Sequence, residues 1–196
     1  MNDLERSLRR CLDDLQALDC RLALVGGLAV SARAEPRLTR DADLVVAVTD
    51  DAEAEALLAR LRLSGYSVRA LVEQTATGRL ATARLVRDGE SLVTDLLFAS
   101  SGIEREIVDE AEGLAVLPDL VVPTASVGHL IALKLLARDD RNRPADADDL
   151  AALSTIADDA DWESATRAVE LIVERGYSRG RDLAGSLREL RANGPY

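Results

Sequence analysis

Hydrophobic and polar positions divide the 196-residue chain into a first part that alternates strands with helices and a second part that is helical throughout. Apolar residues that recur every three or four positions indicate amphipathic helices, whereas short apolar runs and strict alternation indicate strands. The pattern predicts helices at 1–19, 27–33, 51–63, 103–111, 126–138, 146–158, 161–175 and 180–191, and strands at 22–25, 42–48, 66–72, 80–87 and 91–98. Leu114–Val122 is predicted to form one or two short extended pieces, broken by Pro118.

Turn signals indicate how these elements connect. Asp88-Gly89 is typical of a hairpin turn, and it joins the last two of three strands that we expect to pair as a meander. Val121–Ser126, which contains Pro123, is predicted to be a linker. The predicted fold class is therefore α/β, with one domain at 1–123 followed by an α-helical lobe at 124–196.

Two aspartates, Asp41 and Asp43, lie at the start of an apolar, β-branched run that predicts a buried strand. Residues i and i+2 of a strand point to the same face, so the two side chains would lie about 7 Å apart at Cα. Carboxylates at this spacing can bind one or two divalent cations, as metal-assisted phosphoryl displacement requires. Alternatively, the strand starts later and both aspartates are solvated loop residues.

Gly26 and Gly27 stand between the apolar run Leu22–Val25 and a predicted helix. Glycine allows a ligand to approach the main chain closely, and the free N–H groups of a helix N-terminus favour an anion. A Gly-Gly pair is often a plain turn. Here, however, the pair belongs to the same short strand–helix–strand unit as the two aspartates, which favours a phosphate-binding site.

A third carboxylate, Asp95, lies in the middle of the strand predicted at 91–98, and its side chain shares a face with Val93 and Leu97. An ionised side chain among apolar neighbours needs a partner or a metal ion. Alternatively, this strand lies at the edge of the sheet and the side chain of Asp95 faces water.

Lys134 is the only lysine among 24 basic residues, all the others being arginine. It lies on an apolar stripe of the helix predicted at 126–138, together with Leu130 and Ile131. A retained lysine favours a site that needs a compact point charge. A buried lysine needs an anionic partner, which would be the phosphates of a nucleotide or Asp95. Alternatively, its long side chain reaches solvent from the end of the helix.

The chain resembles a known family at its first motif. This motif consists of glycines, an alanine, an arginine, a threonine and the two aspartates, namely Gly26, Gly27, Ala29, Arg37, Thr39, Asp41 and Asp43. It is similar to the first motif of the nucleotidyltransferase superfamily, whose members have the DNA polymerase β-like fold, and most closely to the minimal nucleotidyltransferases of the AbiEii and MenT toxin type. Many nucleotidyltransferases have Gly-Ser where this chain has Gly26-Gly27.

Later motifs extend the resemblance over most of the chain. Asp95 is similar to the third carboxylate of the superfamily, and Asp146 and Asp149 are similar to an aspartate pair that follows the lysine helix in AbiEii-like proteins. The lysine that often precedes this pair is replaced by Ala145. A structural interpretation is also open, in which Asp146 is the N-cap of a helix and Asp149 lies in its first turn.

The resemblance implies a mixed-sheet nucleotidyltransferase core followed by a helical lobe. It implies that Asp41, Asp43 and Asp95 hold Mg²⁺, with Asp95 binding metal or accepting the proton of the attacking hydroxyl, and that Lys134 steadies phosphate charge. Residues implied to bind the nucleoside triphosphate are Gly26, Gly27, Arg37, Thr39, Asp146 and Asp149. It further implies a toxin that transfers a nucleoside monophosphate to RNA, most plausibly a tRNA 3′ end, and that is restrained by an antitoxin protein.

Two other functions share these residues. One is a nucleotidyltransferase or phosphotransferase that acts on a small molecule or a protein, and the other is a nucleotide-binding module that has lost catalysis. Transfer of label from a nucleotide to RNA would distinguish them.

Composition argues against some classes of protein and favours one cellular compartment. The net charge of −11 argues against a general nucleic-acid coat protein, and 3% aromatic residues argue against a base-stacking platform. Cys11 and Cys20 are predicted on one helix, too far apart for a disulfide, which favours a cytoplasmic protein. No signal segment or membrane span is indicated. His129, the single histidine, is predicted to be a partly buried helix residue.

Overall fold

The computed structural model describes residues 3–34, 39, 41–138 and 145–193. The described residues form helices α1 (Asp3–Ala17), α2 (Gly26–Arg33), α3 (Asp51–Leu63), α4 (Glu104–Asp109), α5 (Val127–Ala137), α6 (Ala145–Ile156), α7 (Asp159–Glu174) and α8 (Leu183–Asn193). The strands are β1 (Leu22–Val25), β2 (Asp41–Val46), β3 (Tyr66–Glu73), β4 (Leu80–Arg87), β5 (Val93–Leu97), β6 (Glu112–Leu117) and β7 (Leu120–Thr124).

All seven strands belong to one mixed sheet in the order β3-β4-β5-β2-β1-β7-β6. The pairs β2–β5 and β1–β7 are parallel, and the remaining neighbours are antiparallel. Parallel pairing needs a long crossover, and the segment from α3 through β4 supplies it between β2 and β5. The two strands that carry the predicted carboxylates therefore lie side by side in the middle of the sheet.

Local sequence explains where several helices begin. The side chain of Asp50 accepts a hydrogen bond from the Glu53 amide at the start of α3, and Asp158 and Asp161 form a reciprocal capping box at the start of α7. Such caps satisfy amides that have no partner within the helix. At the N-terminus of α2, by contrast, Val25 provides no side-chain cap.

Helix α5 is the centre of the helical part of the protein. It is buried on almost every side and packs against α2, α6, α7 and α8. His129 is buried on this helix, where its Nδ1 lies 3.0 Å from the Ser126 hydroxyl and burial lowers its pKa. Side chains from the sheet and from the helices form one continuous apolar core.

The structure confirms the α/β class, the meander β3-β4-β5 and the C-terminal helices, with element ends that differ from prediction by a few residues. Two predictions were wrong. Val121–Thr124, predicted as a linker, belong to β7 because β6 and β7 form a hairpin that pairs with β1. Cys20 lies beyond the end of α1 rather than on the same helix as Cys11.

Some positions lie outside the described residues, among them Arg37 of the first motif. Within the described ranges, no helix is sufficiently long and apolar to cross a lipid bilayer. Cys11 is buried beside Thr94, and burial raises the pKa of its thiol to about 11, so the thiol stays protonated at neutral pH.

The close contact between α5 and α7 gives a test of this packing. A Cβ atom at Gly128 would lie 2.5 Å from the carbonyl oxygen of Asp161 and 2.7 Å from the amide nitrogen of Ala165. We expect Gly128→Ala to lower the free energy of unfolding by about 1–3 kcal/mol through overpacking, although alanine favours helices. Urea unfolding measures this change. The control is Gly185→Ala on α8, where the nearest group is the movable carboxylate of Asp182, and an equal loss in both variants would contradict the prediction.

Candidate active site

The parallel pairing of β2 with β5 brings the predicted carboxylates together. Asp43 lies directly opposite Asp95 in the strand register. Asp41 is exposed at the start of β2, Asp43 is half-buried, and Asp95 is buried. Because β5 lies between β4 and β2 inside the sheet, Asp95 is not on an edge strand. Asp41 is the first residue of β2, so the alternative in which the strand starts later is wrong.

Gly26 and Asp43 are in close contact. Gly26 has a φ of +66°, and a Cβ atom at this position would lie 1.9 Å from Oδ2 of Asp43. Only glycine relieves both restrictions, because it adopts positive φ readily and carries no Cβ. The turn from β1 into α2 therefore places the start of the helix directly against the carboxylate of the motif.

Asp95 has a partner that the sequence interpretation missed. Arg84 on β4 lies opposite Asp95 in register, and its guanidinium donates two hydrogen bonds, Nε to Oδ1 at 2.9 Å and Nη2 to Oδ2 at 2.7 Å. These hydrogen bonds, followed by the charge of Asp95, raise the pKa of Arg84, and the charges of Asp41 and Asp43 add to the effect. The charges of Asp95, Asp41 and Asp43 thus all act on Arg84.

Lys134 joins α5 to α6 through a buried ion-pair cluster. Its Nζ lies 2.7 Å from Oδ1 of Asp146 and 2.6 Å from Oδ2 of Asp149, and its side chain is 11% exposed. The anionic partners are therefore these two aspartates rather than Asp95, and the side chain does not extend into solvent. Asp146 and Asp149 lie within α6, which begins at Ala145, so neither is its N-cap.

One oxygen of this cluster has no partner. Oδ2 of Asp146 is buried and receives no hydrogen bond. A buried carboxylate oxygen without a donor costs free energy. Asp146 therefore retains the capacity to accept a hydrogen bond from a bound molecule.

The carboxylates of the sheet and the lysine cluster face one cavity of about 610 Å³. Most of the predicted site residues line it, and the list is Gly26, Gly27, Thr39, Asp41, Asp43, Asp95, Lys134 and Asp146. Asp149 contacts Lys134 without lining the cavity. The cavity walls also include apolar side chains of α5, notably Leu130 and Leu133. The volume is in the range of small-molecule sites.

Further polar residues of the cavity were not predicted from the sequence. Besides Arg84, they include Ser100, Ser101 and Arg179. The two serines donate four hydrogen bonds, from both amides and both hydroxyls, to Oε1 of buried Glu104. Arg179 has a φ of +56°, which is uncommon for a residue other than glycine, and its Nη2 donates to the carbonyl of Ser100 at 3.1 Å. A Ser-Ser-Gly run after a strand indicates only a loop, so no sequence signal marked these residues.

Among the described residues, no three histidine, cysteine, aspartate or glutamate side chains are arranged as a group that could hold a metal ion. Both oxygens of Asp95 accept hydrogen bonds from Arg84.

The mixed sheet thus carries paired carboxylates and a glycine turn that share one cavity with Lys134. A family model described as "Nucleotidyl transferase AbiEii toxin, Type IV TA system" matches residues 10–194. The chain therefore belongs to the AbiEii nucleotidyltransferase toxin family and is a nucleotidyltransferase. Among proteins of curated function, none gives a significant match.

The chain is also similar to several solved structures. The antibiotic-resistance factor ANT(2'')-Ia is 17% identical, with 97% of this chain and 91% of that one covered and a TM-score of 0.50. The lincosamide antibiotic adenylyltransferase LnuA is 17% identical over 80% of this chain and 100% of that one, with a TM-score of 0.49. MenT4, a nucleotidyltransferase toxin from Mycobacterium tuberculosis, is 19% identical over 76% and 55%, with a TM-score of 0.40. At these identities the likeness concerns the fold alone.

The lysine cluster gives a test of the site's energetics. Lys134→Met would leave two buried carboxylates facing each other, and we expect it to lower the free energy of unfolding by about 3–5 kcal/mol. Lys134→Arg keeps the charge, but its planar fork does not fit between Asp146 and Asp149, so it should recover only part of the loss. Chemical denaturation measures both. The control Arg6→Met removes an exposed ion pair with Asp3 and should have little effect.

Proposed function

We propose that this enzyme transfers a nucleoside monophosphate from a nucleoside triphosphate to an acceptor hydroxyl of RNA, specifically at a tRNA 3′ end, with the help of Mg²⁺. One observation carries the proposal. The glycine turn, the carboxylates of β2 and β5 and the lysine cluster all line a single cavity. These are the parts that phosphoryl transfer needs, since its catalysis consists of positioning and of stabilising negative charge.

The acidic residues fit a Mg²⁺ site in part. Magnesium prefers carboxylate oxygens, and it is usually held by one or two carboxylates together with the phosphates of a substrate. Asp41 and Asp43 have the right chemistry and line the cavity. Asp95 is the third candidate, as a ligand or as the group that accepts the hydroxyl proton, once Arg84 has released it. The metal would supply positive charge to the phosphate oxygens during the displacement.

The nucleotide phosphates would lie at the start of α2. Val25 gives this helix no side-chain cap, and the N-terminus of a helix favours an anion. Thr39 lines the same cavity and would contribute a hydroxyl. Lys134, held by Asp146 and Asp149, would face the charge that develops on the phosphates, while Asp146 would also accept a hydrogen bond from the nucleotide.

The reaction is a single displacement at the α-phosphorus. The oxygen of the acceptor hydroxyl forms a bond to this phosphorus, and the bond between the α-phosphorus and the oxygen that bridges to the β-phosphate breaks. Pyrophosphate leaves with that electron pair, and the hydroxyl proton passes to a base, for which Asp95 is our candidate. The chain's own contribution is to align the two substrates and to shield the site from water.

The RNA acceptor rests on the resemblance to MenT-type toxins. Membership of a toxin family also indicates an antitoxin protein as partner. An enzyme with a net charge of −11 can hold RNA only where positive charge is concentrated. Arg138 stands at the end of α5, and the next arginines in the sequence, Arg141 and Arg143, lie outside the described residues. We propose that these three hold the RNA backbone and that the functional division of the chain falls near Thr124, between a core at 1–123 and a helical lobe at 124–196.

Substitution of the paired aspartates tests the catalytic assignment. We expect Asp41→Asn and Asp43→Asn each to reduce the transfer rate to less than about a tenth, because each removes a charged ligand of the proposed metal. Unfolding free energy should change little. Asp13→Asn, which removes an exposed charge on α1, is the matched control. A variant that keeps the wild-type rate would refute the metal assignment of that residue.

A labelled nucleotide offered together with total RNA, purified protein and small molecules tests the acceptor. We expect label in RNA, and we expect the reaction to weaken steeply with salt because arginine–phosphate contacts release counterions. Replacing Arg138, Arg141 and Arg143 together by alanine should lower RNA affinity and reduce the salt dependence without changing nucleotide affinity. Label in a protein or a small molecule, with no effect of the triple substitution, would replace RNA as the acceptor.

A further inference from the structure

Three adjacent strands place one arginine and three aspartates along the cavity. Arg84 on β4 pairs in register with Asp95 on β5, and Asp95 pairs in register with Asp43 on β2. Arg84, Asp95, Asp43 and Asp41 all line the cavity. The guanidinium of Arg84 therefore stands beside the cluster that we assign to metal binding.

Both oxygens of Asp95 are already paired with a cation in this arrangement. Both oxygens accept hydrogen bonds from Arg84, at 2.9 and 2.7 Å. Two-point pairing of this kind is the strong, geometrically specific mode of arginine–carboxylate recognition. A metal ion at Asp95 would share this carboxylate with the guanidinium and would stand next to its positive charge.

The two partners differ in their freedom to move. The side chain of Asp95 is short, starts from an interior strand and is 12% exposed, whereas the side chain of Arg84 is long and 49% exposed. Release of the pair therefore means that the guanidinium swings into the cavity while the carboxylate stays in place. A bound nucleotide would offer it phosphate oxygens there.

We infer that Arg84 is a nucleotide-phosphate ligand that changes partners, leaving Asp95 to the metal and taking a phosphate group when the metal–nucleotide complex binds. The inference rests on the proposed function and deepens it. A metal–nucleotide complex brings both a cation for Asp95 and an anion for Arg84, so every charge remains paired after the exchange. Metal alone brings only a cation and leaves the guanidinium beside it without an anion, so Asp95 admits metal poorly until the nucleotide arrives.

The test measures metal and nucleotide binding separately, without turnover. Mn²⁺ binding to the full chain in the absence of nucleotide is followed by electron paramagnetic resonance, and binding of a fluorescent triphosphate is followed in EDTA. We expect Arg84→Gln to bind Mn²⁺ about tenfold more tightly than the wild type and the triphosphate about tenfold more weakly, which is within the range of typical coupling between sites. Arg62→Gln on α3, an exposed arginine away from the cavity, is the control for the change in net charge.

Two further substitutions test the same exchange of partners between Arg84 and Asp95. Asp95→Asn frees Arg84 in advance, so in EDTA we expect it to bind the triphosphate more tightly than the wild type, although its Mn²⁺ affinity falls. Arg84→Lys keeps the charge but makes one contact in place of two, so its Mn²⁺ affinity should lie between those of wild type and Arg84→Gln. Thermal unfolding of each variant verifies that it is folded.

The outcomes separate this inference from the proposed function. If wild type binds both probes while Arg84→Gln has unchanged Mn²⁺ affinity, Arg84 does not control access to Asp95 and the inference is overturned. Unchanged triphosphate affinity in both Arg84→Gln and Asp95→Asn overturns the phosphate contact. If the wild type binds neither Mn²⁺ nor triphosphate, the proposed function itself fails.

Discussion

The parallel pairing of β2 with β5 is the constraint on which the site depends. It places Asp43 opposite Asp95, and the antiparallel pairing of β1 with β2 brings Gly26 against the carboxylate of Asp43. These strands are interior, and their register is held by buried apolar side chains such as Leu44 and Leu96, which lie opposite each other. The core of the fold and the geometry of the carboxylates are therefore consequences of the same packing.

Charge pairing organises the rest of the cavity. Asp95 pairs with Arg84, Lys134 pairs with Asp146 and Asp149, and Glu104 accepts four hydrogen bonds from Ser100 and Ser101. Buried charges persist only with such partners, because desolvation is expensive. A ligand that carries phosphates must therefore enter this network by exchange of partners as well as by occupation of space.

Local sequence patterns predict much of the fold. Asp50 before an apolar, 3.6-residue repeat predicts the start of α3, and alternation predicts β4 and β5, because caps and periodicity act over a few residues. The partner of Asp95 could not be predicted from such patterns. A two-residue turn at Asp88-Gly89 would bring Thr82 opposite Asp95, whereas the observed register pairs Val86 with Val93 and brings Arg84 there. Since the difference is two residues, the sequence predicts the correct face of β4 but the wrong neighbour.

By itself, the sequence determined the order of the helices and strands and the residue types that carry the chemistry, from Gly26 and Asp41 to the single lysine at position 134. These features follow from short-range rules of backbone conformation, periodicity and charge. The tertiary structure alone decided which charges meet: Lys134 with the aspartates of α6, and Asp95 with Arg84. Such pairings depend on strand register and helix packing, which are set by contacts between residues far apart in the chain, and no local pattern records them.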